Sequence, residues 1–124
     1  MPPITPAPDD APLPERTPAD FFAVDIRVGT VLAAEPFPEA RKPAIKLTID
    51  FGPALGVRRS SAQITTHYTP EALVGRQVVA VTNIGTCRVA GFVSEVLVLG
   101  AMPGPSEVVL LGPAHPVANG TKIG

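Results

Sequence analysis

The sequence predicts an all-β domain, namely a small five-stranded barrel with one short helix between its third and fourth strands. Three observations support this fold class. Short segments of alternating apolar and polar residues recur along the chain, as in half-buried strands. Glycine and proline separate these segments, as expected of turns. One helix-start signal, Thr69-Pro70-Glu71, lies between the third and fourth segments, and Gly75 ends the helix that it begins.

The first part of the chain differs in composition from the rest. Residues 1–18 contain seven prolines, interleaved with alanine, threonine and aspartate. Such a segment has few apolar side chains to bury and favours extended conformations. We expect residues 1–18 to form a flexible tail and residues 19–124 to form the domain. A proline-rich ligand for another protein module is the alternative interpretation of the tail.

A short helical turn is predicted where the tail meets the domain. Thr17 suits the N-cap, Pro18 suits the first helical position, and Asp20 is favoured near the positive end of a helix. This turn would place Phe21 and Phe22 over one end of the core.

The predicted strands follow in order. In the first, Val24, Ile26 and Val28 alternate with polar residues, and Gly29 suggests a bulge or a sharp bend. Three prolines between residues 35 and 43 make that stretch a loop. Further strands are predicted at residues 45–49, 57–64, 78–81 and 95–99, with a C-terminal strand extension at 108–111. Five short strands with this helix position match the oligonucleotide/oligosaccharide-binding fold (OB-fold).

The inventory of reactive side chains predicts a protein that is not an enzyme and uses no metal or cofactor. His67 and His115 are the only histidines, and Cys87 is the only cysteine. Their spacing matches neither a zinc site nor a nucleophile elbow. A contact between Cys87 and His67 stays open as an alternative. No apolar run approaches the roughly 20 residues that span a membrane, and the start lacks a secretory signal, so the cytoplasm is the expected location.

Nucleic-acid binding would require a local basic patch. The net charge is −1, and without residues 1–18 it is about +1, whereas dedicated nucleic-acid binders are usually basic. On an OB-fold the ligand lies across the second and third strands, which here carry Lys46, Arg58 and Arg59. An ordinary solvated sheet face is the other interpretation of these charges. With no tryptophan, one tyrosine and five phenylalanines, extensive base stacking is not expected, and recognition of a folded RNA through backbone and shape demands less.

Several segments together resemble a known family. They are residues 22–30, 60–65, 68–75 and 88–100. In this order they resemble the tRNA-binding-domain family of OB-folds. Within that family the chain is most similar to the CsaA-type export-related chaperone proteins, through residues 60–64, 94–100 and 116–124. The resemblance covers residues 21–124.

The resemblance implies a set of residues that face RNA. The tRNA-binding modules carry Ser-Glu-Gly-Met at the barrel edge, and the matching positions here run from Ser94 to Leu97. Val96 replaces the glycine, and its Cβ blocks the close backbone approach that glycine permits; CsaA-type proteins share this change. Residues 83–88 lack the prolines and the second arginine that CsaA-type proteins tend to have there. The predicted RNA-binding residues are Lys46, Arg58, Arg59, Asn83, Arg88, Ser94 and Glu95.

The function implied by the resemblance is that of a non-enzymatic, export-related chaperone. Such a protein would act in the cytoplasm as a homodimer that binds unfolded or pre-secretory polypeptide. The first helical turn and the residues from Val108 onward would supply the dimer surface. Phe37, Phe51 and Phe92 are the candidate peptide-binding residues, although rings of this kind lie more often in the core. The alternative, from a different class, is a tRNA-binding module acting in trans.

Overall fold

The computed structural model describes residues 11–124. Over this range the chain forms two short helices and nine strands. In chain order the elements are α1 (Pro18–Phe22), β1 (Ile26–Pro36), β2 (Ile45–Asp50), β3 (Val57–Ala62), α2 (Pro70–Leu73), β4 (Gln77–Val81), β5 (Cys87–Val89), β6 (Phe92–Ser94), β7 (Leu97–Val98), β8 (Gly100–Gly104) and β9 (Glu107–Leu110). The predicted helix between the third and fourth strands is therefore confirmed.

Five of these strands form one antiparallel sheet in the order β3-β2-β1-β4-β7. Because side chains alternate between the two sides of a strand, Ile45, Leu47 and Ile49 of β2 all point inward and are at most 2% exposed. Apolar side chains of the other strands and of α2 complete this core. Its remaining buried members are Val31, Phe51, Ile64, Leu73, Val78, Ala80, Val96 and Leu110.

The segment between β6 and β7 closes this sheet against β3. The Glu95 N–H donates to the Arg59 carbonyl at 2.8 Å, and the Ser60 hydroxyl donates to the Val96 carbonyl at 3.1 Å. The sheet thus becomes a nearly closed five-stranded barrel, which confirms the predicted all-β OB-fold class.

Strands β5, β6 and β8 were not predicted, and two further details of the strands differ from the prediction. The last barrel strand is only Leu97–Val98. The residues just before it bond to β3, and the chain pairs with β4 only from Leu97 onward. The bulge of β1 lies between Val31 and Ala33, not at Gly29. Gly29 is instead required for space, since a Cβ there would lie 2.6 Å from the Cγ2 atom of Ile49.

Helix α1 begins as predicted but does not cover the core. The Asp20 N–H donates to the Thr17 hydroxyl at 3.3 Å and the Thr17 N–H donates to the Asp20 carboxylate at 3.2 Å, which forms a capping box. No residue of α1 is buried, and Phe21 and Phe22 are 45% and 71% exposed. The prediction that these rings lie over the core is therefore wrong. Asn83 attaches the residues just after α1 to the barrel through hydrogen bonds with Ala23 and Asp25. Residues 11–17 are exposed and form no regular element, and residues 1–10 of the predicted tail lie outside the described residues.

The C-terminal residues return to the barrel. Strands β8 and β9 form the predicted extension as a hairpin. Beyond it, the Gly120 N–H donates to the Val28 carbonyl at 2.7 Å, and the Val28 N–H donates to the Thr121 carbonyl at 2.9 Å. Gly120 has φ +91°, and a Cβ there would lie 2.6 Å from the Phe51 carbonyl oxygen. Glycine is needed at this position because both the backbone conformation and the space exclude a side chain.

Candidate functional site

The outer face of β2 and β3 carries two of the predicted basic residues. Lys46 lies opposite Ser61, and Thr48 lies opposite Arg59. Their neighbours along the strands point into the barrel, so these four side chains share the outer face. Glu35 of β1 lies beside Lys46 on the same face, which limits the local positive charge.

A small aromatic cluster supports these two cations. Phe37 comes from the loop after β1 and Phe92 from β6, and their ring centroids lie 5.5 Å apart. With Ala44 they form a second apolar cluster, separate from the barrel core. The Lys46 ammonium lies 4.7 Å from the centroid of Phe37 and 5.5 Å from that of Phe92. The Arg59 guanidinium carbon lies 4.4 Å from the centroid of Phe92, so both cations contact this cluster through cation–π interactions.

Arg58 does not share this face. It pairs with Ile49, whose side chain is fully buried, so Arg58 starts on the inward side of β3 at the end of the barrel. Its Nε donates to the Leu55 carbonyl at 3.1 Å. Consecutive residues of a strand point to opposite sides, and Arg58 and Arg59 are therefore not one basic pair.

Ser94 and Glu95 act within the fold. The Ser61 N–H donates to the Ser94 hydroxyl at 3.1 Å, and the Arg59 N–H donates to the Glu95 carboxylate at 3.0 Å. Ser94 is 9% exposed. The two side chains thus accept hydrogen bonds from the backbone of β3. The contact with RNA that the resemblance implied for them stays a prediction.

Asn83 and Arg88 lie apart from the two cations. The Asn83 amide donates to the Ala23 carbonyl at 2.9 Å, and its oxygen accepts the Asp25 N–H at 2.8 Å. Arg88 is exposed on the β5–β6 hairpin, opposite Val93, on the side that faces away from Phe92. Of the predicted RNA-binding cations, only Lys46 and Arg59 therefore share the outer face, and Glu95 is bonded to the backbone of Arg59.

A polar cavity of about 380 Å³ lies beside α1. Phe22, Asp25, Arg27, Asn83 and Lys122 are among its lining residues. The Arg27 Nε donates to the Asp25 carboxylate at 2.7 Å, and this bond, with a further one from Thr82, lowers the pKa of Asp25 below its usual 3.8. Arg27 also donates to the Gly120 carbonyl at 3.2 Å, so its charge serves the attachment of the C-terminal residues.

The three phenylalanines predicted to bind peptide are buried. Phe51 is fully buried in the barrel core, and Phe37 and Phe92 are 3% and 7% exposed in the outer cluster. None of the three rings is open to a polypeptide in this conformation, and the core interpretation holds for them. The exposed rings are Phe21 and Phe22 of α1, which the sequence analysis had assigned to the core.

Among residues 11–124, no group of three histidine, cysteine, aspartate or glutamate side chains could hold a metal ion. The His67 Nε2 atom lies 2.5 Å from the Glu107 carboxylate, which links the segment before α2 to the β8–β9 hairpin. None of the helices in this range is long and apolar enough to span a bilayer.

Two solved structures resemble this chain over almost their whole length. The chaperone CsaA from Bacillus anthracis str. Ames is 56% identical with a TM-score of 0.86, and the match covers 90% of this chain and 100% of that one. The CsaA chaperone protein from Picrophilus torridus is 43% identical with a TM-score of 0.81, covering 89% and 100%. The predicted likeness to CsaA-type proteins is confirmed.

Sequence relatives include much longer enzymes. The methionine–tRNA ligases of Porphyromonas gingivalis (strain ATCC 33277) and Rhodopirellula baltica are 39% and 44% identical over 104 residues, or 84% and 83% of this chain. The chain spans only about 15% of the length of these ligases. The model of the family described as "Putative tRNA binding domain" matches residues 26–122. This chain belongs to the putative tRNA-binding domain family.

Proposed function

We propose that this chain is a non-enzymatic, CsaA-type chaperone, a cytoplasmic homodimer that holds unfolded or pre-secretory polypeptide. The observation that carries the proposal is the 56% identity to the chaperone CsaA of Bacillus anthracis, which extends over the whole of that chain. Because the match covers the whole of that solved chain, its printed role as a chaperone supports the same role for this chain.

Exposed apolar side chains provide a physical basis for the proposal. Helix α1 buries none of its residues, and the rings of Phe21 and Phe22 contact each other edge to face at 5.3 Å. A helix of five residues is not stable alone in water, yet the capping box and Asn83 hold this one against the barrel. The two rings are therefore presented to solvent in a fixed position, as a contact for another polypeptide would require.

A second group of exposed apolar residues lies near the C-terminus. Val109, Leu111, Val117 and Ile123 are 41%, 46%, 38% and 39% exposed. We propose that the homodimer covers part of this surface and part of α1, and that the apolar residues left exposed hold the client.

The chaperone proposal is tested by the aggregation of a heat-unfolded enzyme, followed by light scattering. The wild-type protein should suppress aggregation, and the double variant Phe21→Ser, Phe22→Ser should suppress it less. Val57→Ser is the matched control, since Val57 is 53% exposed but lies on the outer face of β3. The proposal fails if the wild-type protein in molar excess leaves aggregation unchanged.

A second candidate function is binding of tRNA in trans, favoured by the cations on the outer face of β2 and β3. Lys46 and Arg59 lie where OB-folds bind nucleic acid, and both rest on the aromatic cluster. Each phosphate contact releases counterions, so the affinity should fall steeply with salt. The family match to residues 26–122 supports this candidate as well.

The RNA candidate is tested with total tRNA in a filter-binding assay at several salt concentrations. Arg59→Ala should weaken binding and reduce the log–log salt slope by about one. Arg76→Ala is the control, because Arg76 also lies over a ring, that of Tyr68 at 5.1 Å, at the start of β4. Equal affinity and slope for Arg59→Ala and wild type would exclude this face as the RNA surface.

A further inference from the structure

The contact between Arg59 and Phe92 differs from an ordinary exposed arginine. Phe92 is 7% exposed and held by Phe37 and Ala44, so the ring cannot itself receive a nucleobase. Arg59 lies over this ring at 4.4 Å and is exposed. The guanidinium carbon thus lies over an aromatic ring, while the side chain remains exposed to solvent.

We infer that Arg59, supported by Phe92, forms a stacking subsite for an unpaired base of single-stranded RNA. The inference rests on the second candidate function, RNA binding by the outer face, and deepens it. A guanidinium is planar and stacks on bases as well as on aromatic rings. In OB-folds that bind single strands, exposed aromatic side chains supply this platform. On this face the rings of Phe37 and Phe92 are covered, and the arginine is the planar group that remains available.

The backbone of Arg59 is held by two hydrogen bonds, in addition to the contact of its side chain with Phe92. Its N–H donates to the Glu95 carboxylate and its carbonyl accepts the Glu95 N–H, at 3.0 and 2.8 Å. An arginine that is already ordered loses less conformational entropy when a ligand binds. Lys46, whose ammonium lies 5.5 Å from the same ring, would contact the phosphate next to the stacked base. The subsite therefore prefers an unpaired nucleotide to a duplex, in which the base faces are already stacked.

The test compares one RNA oligonucleotide, free of secondary structure, with its duplex. Arg59→Lys keeps the charge and removes the plane, so the affinity for the single strand should fall about tenfold. The salt slope and the affinity for the duplex should not change. Arg76→Lys makes the same substitution over the ring of Tyr68, and its affinities for both RNAs should equal those of wild type.

Variants of Phe92 test whether its ring supports the Arg59 side chain. Phe92→Leu should weaken binding of the single strand while Arg59 is still present, and Phe92→Tyr, which keeps the ring, should restore it. In the protein without RNA, the ring-current shift of the Arg59 δ-protons should disappear in Phe92→Leu and persist in Phe92→Tyr. Circular dichroism verifies that both variants are folded.

The outcomes separate this inference from RNA binding in general. If Arg59→Lys and wild type bind the single strand and the duplex equally, the stacking subsite is excluded and RNA binding by this protein stands. If the wild-type protein binds neither RNA at low salt, the RNA-binding function and the subsite both fail. If the ring-current shift is absent in the wild type, Phe92 does not support Arg59 in solution and the inference is overturned.

Discussion

Ser94 shows how one side chain can replace a hydrogen bond between strands. Its hydroxyl accepts the Ser61 N–H and also lies within 3.4 Å of the Ser60 hydroxyl, at the junction where the barrel closes. The resemblance to tRNA-binding modules implied that this serine faces RNA. Its burial and its contacts with β3 give it a structural role, and a contact with RNA stays a prediction.

We predict that Ser94→Ala destabilises the fold. The substitution leaves the Ser61 N–H without its acceptor at a nearly buried position, which costs about 1–3 kcal/mol. The free energy of unfolding in urea measures this loss. Ser61→Ala is the matched control, since the Ser61 side chain lies on the outer face and its loss should change stability by less than about 0.5 kcal/mol. Equal stabilities of the two variants would show that the Ser94 hydrogen bond does not stabilise the closure of the barrel against β3.

The carboxylate of Asp25 should make stability depend on pH. The hydrogen bond from Arg27, with a second one from Thr82, lowers the pKa of Asp25 in the folded protein. A group with a lowered pKa stabilises the fold fully above its usual value of 3.8, and this contribution is lost as the pH falls through the folded value. We expect Asp25→Asn to be less stable than wild type at neutral pH and to lose less stability below pH 3.8.

The measurement is the free energy of unfolding from neutral to strongly acidic pH. Because Asp25 is partly exposed, the difference should be small and should shrink with added salt. Parallel curves for the two proteins would contradict the assignment.

Among the elements, the C-terminal residues pair with β1 through an isolated bridge between Arg27 and Lys122 and the hydrogen bonds around it. The turn at Asn119 and Gly120 contacts the backbone of Phe51 and Gly52, where a Cβ on either glycine would meet a carbonyl oxygen. This close approach joins the end of the chain to the end of β2. The residues after β9 therefore contribute to the stability of the barrel as well as to its surface.

We predict that Gly120→Ala destabilises the protein more than Gly85→Ala does. Both glycines have positive φ, +91° and +81°, so both alanines pay a backbone cost of about 1 kcal/mol. At Gly120 the new Cβ would lie 2.6 Å from the Phe51 carbonyl oxygen, whereas at Gly85 no atom lies within 4 Å of it. Thermal unfolding of the two variants isolates the effect of this contact. Equal melting temperatures would mean that the C-terminal turn is not packed against the barrel.

At the scale of the whole molecule, the exposed apolar residues of β9 and the C-terminal segment predict self-association. We expect the full-length protein to be a symmetric dimer, in which one patch meets its own copy. Val109→Asp should give monomers without loss of the fold, because Val109 is 41% exposed and opposite Ala101 in the hairpin. Light scattering at micromolar concentration measures the mass. A monomeric wild-type protein would contradict the dimer, and Val57→Asp serves as the control for added charge.

The tail before α1 should contribute little to stability. Residues 11–16 are exposed and belong to no helix or strand, and residues 1–10 share their proline-rich composition. We predict that a protein lacking residues 1–16 melts within a few degrees of the full chain. A large decrease in melting temperature would show that the tail packs on the domain.

The class of fold could be predicted from local patterns in the sequence. The alternation of Ile45, Leu47 and Ile49 with polar residues predicted β2 correctly. A strand with an apolar side chain at every second position is stable only when its apolar face lies toward a core. The starts of α1, after Thr17, and of α2, after Thr69, were also predictable, because a proline favours the first turn of a helix. Segments of the chain also carried the family resemblance.

The residues of the candidate site, in contrast, could not be identified before the strand pairing was known. Strand β3 reads Val-Arg-Arg-Ser-Ser-Ala and has no apolar alternation, so its pairing with β2 alone shows that Arg59 faces outward and Arg58 does not. Phe37 and Phe92 are distant in sequence, and no local pattern predicts that a loop and strand β6 bring them together under Lys46. Local propensities act over a few residues, whereas a binding face depends on strand register and on contacts between remote segments.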